Sequence, residues 1–135
     1  MAKEFPLKSK GFHPFGELIG LDFTRCEGGF SQGTLEVGER HLNPHNVVHG
    51  GVIYAMADTG MGGAVYSFLN EDELCATIEI KIAYMAPVTS GRLTCDTEVV
   101  HLGKRIVMLE SEVKNGDRIV AKATGTYSLF KAEEG

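Results

Sequence analysis

The chain has 135 residues, a length that fits one domain, and 43% of them are hydrophobic against 23% charged, close to globular averages. Disordered and collagen-like classes are thereby excluded, and no apolar run approaches the roughly 18 residues of a membrane helix. The net charge of −5 argues against a general nucleic-acid binder, while leaving room for a small local phosphate site. Three cysteines, Cys26, Cys75 and Cys95, form no C-x-x-C pair, so neither a disulfide framework nor a zinc ribbon is indicated.

In chain order, residues 1–11 read as a poorly fixed arm, and 12–135 as a single domain. The arm carries Lys3, Lys8 and Lys10 without an apolar stretch, which is not the pattern of a signal peptide, and a cytoplasmic location is expected. Two short strands are predicted near Leu18–Cys26 and Phe30–Val37, separated by a turn at Gly28-Gly29. Residues Glu39 to Val48 form a polar loop around Pro44. From Gly50 to Leu69 apolar residues lie on every side of a helical projection, the pattern of a buried helix, which Gly60, Gly62 and Gly63 weaken by about 1 kcal/mol each.

The period then changes. Ile78, Ile80, Ile82 and Tyr84 alternate, as in a half-buried strand ending before Pro87. Strands Arg92–Leu102, Arg105–Lys114 and Arg118–Phe130 follow, with turns at Gly103-Lys104 and at Asn115-Gly116, a pair favoured in type I′ hairpins. Two strands, a buried helix and a four-stranded meander make an α+β domain: one antiparallel sheet folded around one helix.

The chemistry-bearing segment is Asn43-Pro44-His45-Asn46-Val47-Val48-His49-Gly50-Gly51, followed by Asp58 within the helix. His41, His45 and His49 are spaced by four and could imitate a metal site, but Pro44 interrupts any helix through them, and no metal is expected. His49-Gly50-Gly51 stands at the helix start, where the first N–H groups lack internal partners and carry partial positive charge. Such groups stabilise charge developing on a carbonyl oxygen, and glycine lets a ligand approach the backbone. The same glycine pair could equally make only a tight turn into the helix. Asp58 is a carboxylate amid apolar neighbours, so it must be solvated, paired or functional. Gly50 and Asp58 are eight residues apart, about 12 Å along one helix. One substrate carbonyl cannot reach both, so two antiparallel helices from a two-fold dimer are required if both act on it.

This pattern of Asn43, His49-Gly50-Gly51 and Asp58 resembles the hotdog-fold acyl-CoA thioesterases of the phenylacetate-degradation type. Tyr84-Met85-x-Pro87 and the Gly103-Lys104-Arg105 turn extend the resemblance from about Phe12 to Phe130. It implies a hotdog sheet of five to six strands around one long central helix. It also implies a Gly50 amide that polarises the thioester carbonyl and a partner-chain Asp58 that activates water or attacks. Asn43 would hold substrate or water, His49 would support the thioester region, and the Thr77 hydroxyl would orient water. Lys104 and Arg105 would face the CoA phosphates, and Gly51, Tyr54 and Met61 would contact substrate. Tyr54, Met61, Met85 and Phe68 are candidates for an acyl pocket and equally for core. The expected reaction is hydrolysis of an aryl- or medium-chain acyl-CoA by a homodimer or homotetramer, without a cofactor, CoA being part of the substrate. The competing expectations are a non-catalytic acyl-CoA-binding protein and an enoyl-CoA hydratase or dehydratase.

Overall fold

The computed structural model describes residues 5–132. Six strands form one antiparallel sheet in the order β1-β2-β4-β5-β6-β3. They are β1 (Asp22–Glu27), β2 (Phe30–Glu36), β3 (Glu73–Tyr84), β4 (Arg92–Leu102), β5 (Ile106–Asn115) and β6 (Arg118–Lys131). The helix expected between the second and third strands is α2, Gly50–Tyr66, three residues shorter than anticipated. The sheet wraps it in the hotdog manner. Ile53 and Met56 pack among Leu21, Leu35, Leu93 and Val120. A turn later, Ala57, Met61 and Val65 pack against Val107, Leu109 and Tyr127. Each fully buried large aliphatic here is worth about 1.5–3 kcal/mol over exposure. No helix among the described residues is long and apolar enough to cross a membrane.

The N-terminal region departs from expectation. Where a strand was predicted from Leu18, a short helix α1 occupies Pro14–Ile19, and β1 begins only at Asp22. Pro14 pre-sets the first turn and Gly20 closes the last in the left-handed conformation (φ 76°). Nor is the described part of the arm loose. The Leu7 carbonyl accepts from the Phe23 N–H (2.7 Å), and the Ser9 N–H donates to Asp22 Oδ1 (2.8 Å). Ser9 is buried and donates its hydroxyl to the Leu21 carbonyl. The arm's first four residues lie outside the described residues.

The turns divide by glycine position. Gly28 and Gly29 both have positive φ (58° and 81°), as a type I′ hairpin requires. At the last hairpin the centre is Gly116-Asp117, not Asn115-Gly116, because Asn115 pairs with Arg118. Only Gly116 has positive φ (62°), as in a type II′ turn.

One irregularity positions the site. β3 starts four residues before Thr77 and lies at the sheet edge. Its register with β6 shifts between Thr77 and Glu79, leaving Ile78 unpaired. Side chains alternate faces along a strand, so the bulge resets the alternation. Ile80 and Ile82 pack on the core as expected, but Ile78 is 55% exposed and Tyr84 50%. Before the bulge, Cys75 packs on the core and Thr77 turns inward to reach the helix.

Candidate active site

Gly50 and Asp58 lie on one continuous helix, two turns apart. At the helix start, His49 is the N-cap: its Nδ1 accepts from the Gly51 N–H at 2.7 Å. That bond commits the Gly51 amide to the cap, so Gly51 is no open donor for a substrate. The Gly50 carbonyl accepts from the Tyr84 hydroxyl at 2.7 Å, and a Cβ on Gly50 would stand 3.1 Å from the Tyr84 ring. Glycine is thus the residue that fits under Tyr84 while keeping its amide at the helix mouth.

The preceding loop is braced from within. Asn43 Oδ1 accepts from the His45 N–H (2.8 Å), and Asn46 takes a left-handed φ of 63°. The Asn43 side-chain oxygen therefore shapes the loop. His41 is buried, accepting from the Gly38 N–H at Nδ1 (2.9 Å). With Nδ1 an acceptor, Nε2 carries the proton and donates to the Ile19 carbonyl (2.6 Å). His41 is a structural residue: its own carbonyl accepts from the His49 N–H (2.8 Å) and so fixes the cap.

Asp58, half-buried, is held by two hydroxyls. Thr77 donates to Oδ1 at 2.9 Å and Tyr127 donates to the same oxygen at 2.5 Å. Tyr127 also reaches the Asp58 carbonyl (2.8 Å). Oδ2 is the oxygen these bonds leave for chemistry. Burial, and then the hydrogen bond to Asp58, push the Tyr127 phenol well above its ordinary value of 10.0, so it stays a donor. No ion pair to Asp58 occurs among the described residues. Tyr127 was not foreseen, since an inward tyrosine in a Val- and Thr-rich strand reads as core. The Thr77 hydroxyl, expected to orient water, donates to the carboxylate and keeps its oxygen as an acceptor.

Asp58, Thr77 and Tyr127 open onto a cavity of about 330 Å³. Met61, expected at the substrate, is fully buried in the core against Gly125. Phe68 packs on the second core cluster and Met85 is exposed, so neither reaches this cavity. Tyr54 is half-buried one turn before Asp58. Lys104 and Arg105 are exposed on the β4–β5 turn. Register places that turn beside Ile106, which pairs with Ser128, one residue beyond the Tyr127–Thr77 pair. The turn is thus about two strand spacings, roughly 10 Å, from Thr77, at the cavity's end of the sheet.

Residues 45–122, spanning the helix and both candidate ends of the site, match the thioesterase superfamily. The chain belongs to the thioesterase superfamily. The proofreading thioesterase EntH of Klebsiella pneumoniae is 28% identical over 113 residues, 82% of this chain and 82% of that one. The 1,4-dihydroxy-2-naphthoyl-CoA hydrolase of Listeria monocytogenes is 28% identical over 97 residues, 72% of this chain and 79% of that one. Among solved structures, a mutant of the phenylacetic acid degradation protein PaaI from Thermus thermophilus superposes with a TM-score of 0.79. It is 28% identical, with 85% of this chain and 97% of that chain covered. This thioesterase superfamily member is a thioester hydrolase, and the matched segment contains Gly50, Asp58 and Thr77.

Proposed function

We propose that this thioesterase hydrolyses aryl- or medium-chain acyl-CoA thioesters as a homodimer in the cytoplasm, in the phenylacetate-degradation-type branch. The observation that carries the proposal is Asp58: a carboxylate gripped by two hydroxyls at one end of an aromatic cavity, midway along the helix whose first residue presents the Gly50 amide. In one chain these groups are too far apart for one carbonyl. Antiparallel helices from two chains would place Gly50 of one beside Asp58 of the other, twice per dimer. The exposed edge strand β3, with Ile78 and Tyr84 uncovered, supplies an unpaired edge for that association. Two such dimers could pack further into a tetramer.

In this arrangement the Gly50 N–H meets the negative charge that grows on the thioester oxygen during attack. Asp58 of the other chain activates water or attacks directly, with Oδ1 fixed by Thr77 and Tyr127. The CoA thiolate departs, with Lys104 and Arg105 near its phosphates, and no cofactor takes part. The hydrolase of a naphthoyl-CoA among the relatives supports an aryl acyl group.

Asp58→Asn tests the reading. The amide is isosteric and its Oδ1 still accepts from Thr77 and Tyr127, so the fold holds while turnover falls at least 100-fold in a thiol-release assay. Full activity in that variant overturns the assignment. Wild-type binding by calorimetry without thiol release would instead identify a binding protein, and water addition to an enoyl-CoA would identify a hydratase.

A further inference from the structure

The cavity beside Asp58 has a wall that the reaction does not require. Its floor is one face of α2, where Asp58, Gly62 and Tyr66 succeed one another at single-turn intervals, about 12 Å end to end. Its roof is the N-terminal segment: Phe5, Phe12 and His13 all line it. Phe5 packs edge-on to Phe12 (5.7 Å between ring centres) and Phe23 (5.2 Å), and lies 6.1 Å from Tyr66. The Phe5 ring rests on Gly63, where a Cβ would come within 3.3 Å of it. Gly62 differs: a Cβ there meets nothing within 4 Å, so this glycine faces open cavity. The reactive carboxylate is at one end and the aromatic roof at the other. At about 330 Å³ the space is at the lower limit of small-molecule pockets, so it admits a compact apolar group and excludes a long one.

We propose that the N-terminal arm, through Phe5 packed on Phe12 just beyond it, closes the acyl pocket over Gly62 and sets the acyl-size limit of the enzyme. The inference rests on the acyl-CoA reading above. Phe5 removal lengthens the pocket, and a side chain at Gly62 shortens it from the opposite wall.

The test compares Phe5→Ala and Gly62→Leu with wild type on acetyl-, phenylacetyl- and octanoyl-CoA. The non-hydrolysable phenacyl and octyl thioethers of CoA are measured in parallel by calorimetry. Size discrimination of this kind is worth roughly 10–200-fold per group. The expected result is that Phe5→Ala raises the octanoyl-to-acetyl ratio of kcat/KM at least tenfold, and Gly62→Leu lowers it at least tenfold. Should Phe5→Ala melt early, Gly62→Leu decides, because its side chain starts in open space. Unchanged ratios in the folded variants overturn the arm's role while leaving thioester hydrolysis standing. If wild type releases no thiol, the hydrolase reading fails and the thioethers decide. Opposite affinity shifts in the two variants then sustain the arm's role, and equal affinities or no binding overturn it.

Discussion

Tyr127 shows what one hydroxyl contributes to the carboxylate. Its bond to Asp58 Oδ1 is charge-assisted, and such bonds are worth about 1.5–3 kcal/mol. Tyr127→Phe keeps the ring that packs in the core and removes only the donor, leaving Thr77 to orient Asp58 alone. We expect kcat to fall about tenfold and the melting temperature to drop by several degrees, with the fold retained, measured by thiol release and circular dichroism. The pH dependence has a defined sign. Burial raises the folded phenol above its ordinary 10.0, so ionisation is resisted and the donor persists as pH passes through 10. Wild-type kcat should therefore show no loss with an ordinary tyrosine midpoint, and a midpoint at 10 that vanishes in Tyr127→Phe would contradict this geometry. Asp58 and Gly50 were legible in the sequence because a lone carboxylate in an apolar helix and a glycine at a helix start are unusual in themselves. Tyr127 was not, because it lies 69 positions from Asp58 and only the strand order brings them together.

At the scale of elements, the sequence carries the period but not the irregularities that bend it. The buried helix and the meander followed from apolar patterning. The bulge at Ile78 did not, since an unbroken run of alternating isoleucines is what a regular strand also shows. That bulge is nonetheless what turns Thr77 toward the helix. The short helix α1 was signalled by Pro14 and Gly20, yet Leu18 to Cys26 satisfied a strand pattern and masked it. Glycines within α2 make the point sharply, because Gly60 and Gly62 look identical in the sequence. A Cβ on Gly60 would lie 2.8 Å from Thr97 Oγ1, which is itself tied to Ser111 Oγ at 2.6 Å. The Gly60 carbonyl also accepts from the Ser31 hydroxyl at 2.6 Å, holding helix and sheet in close approach. Gly60→Ala should therefore destabilise by about 1–3 kcal/mol through overpacking. Gly62→Ala meets open space and should stabilise by about 1 kcal/mol through helix propensity. Opposite shifts in urea midpoint for the two variants would verify the helix–sheet contact, and equal shifts would refute it.

In the molecule as a whole, one chain completes the fold but holds Gly50 and Asp58 two helix turns apart, so the proposed function requires a dimer as the catalytic unit. Two variants, each broken in a different half of the site, can complement one another only across a dimer. Asp58→Asn removes the carboxylate. Gly50→Pro removes the amide donor at the first helical position, where proline's φ is accepted. Its Cβ, 3.1 Å from the exposed Tyr84 ring, displaces that ring by a few tenths of an ångström, and circular dichroism confirms that the variant folds. The His49 backbone (φ −59°, ψ 132°) already has the extended conformation that a residue before proline adopts. Each variant alone should be nearly inactive. In a randomly mixed population half of the dimers are hybrids, and a two-fold shared arrangement gives each hybrid one intact site and one doubly broken site. Unfolding and refolding the two together should then recover about a quarter of wild-type activity. Mixed dimers confirmed by mass spectrometry but without recovered thiol release would mean that Gly50 and Asp58 do not meet across the interface.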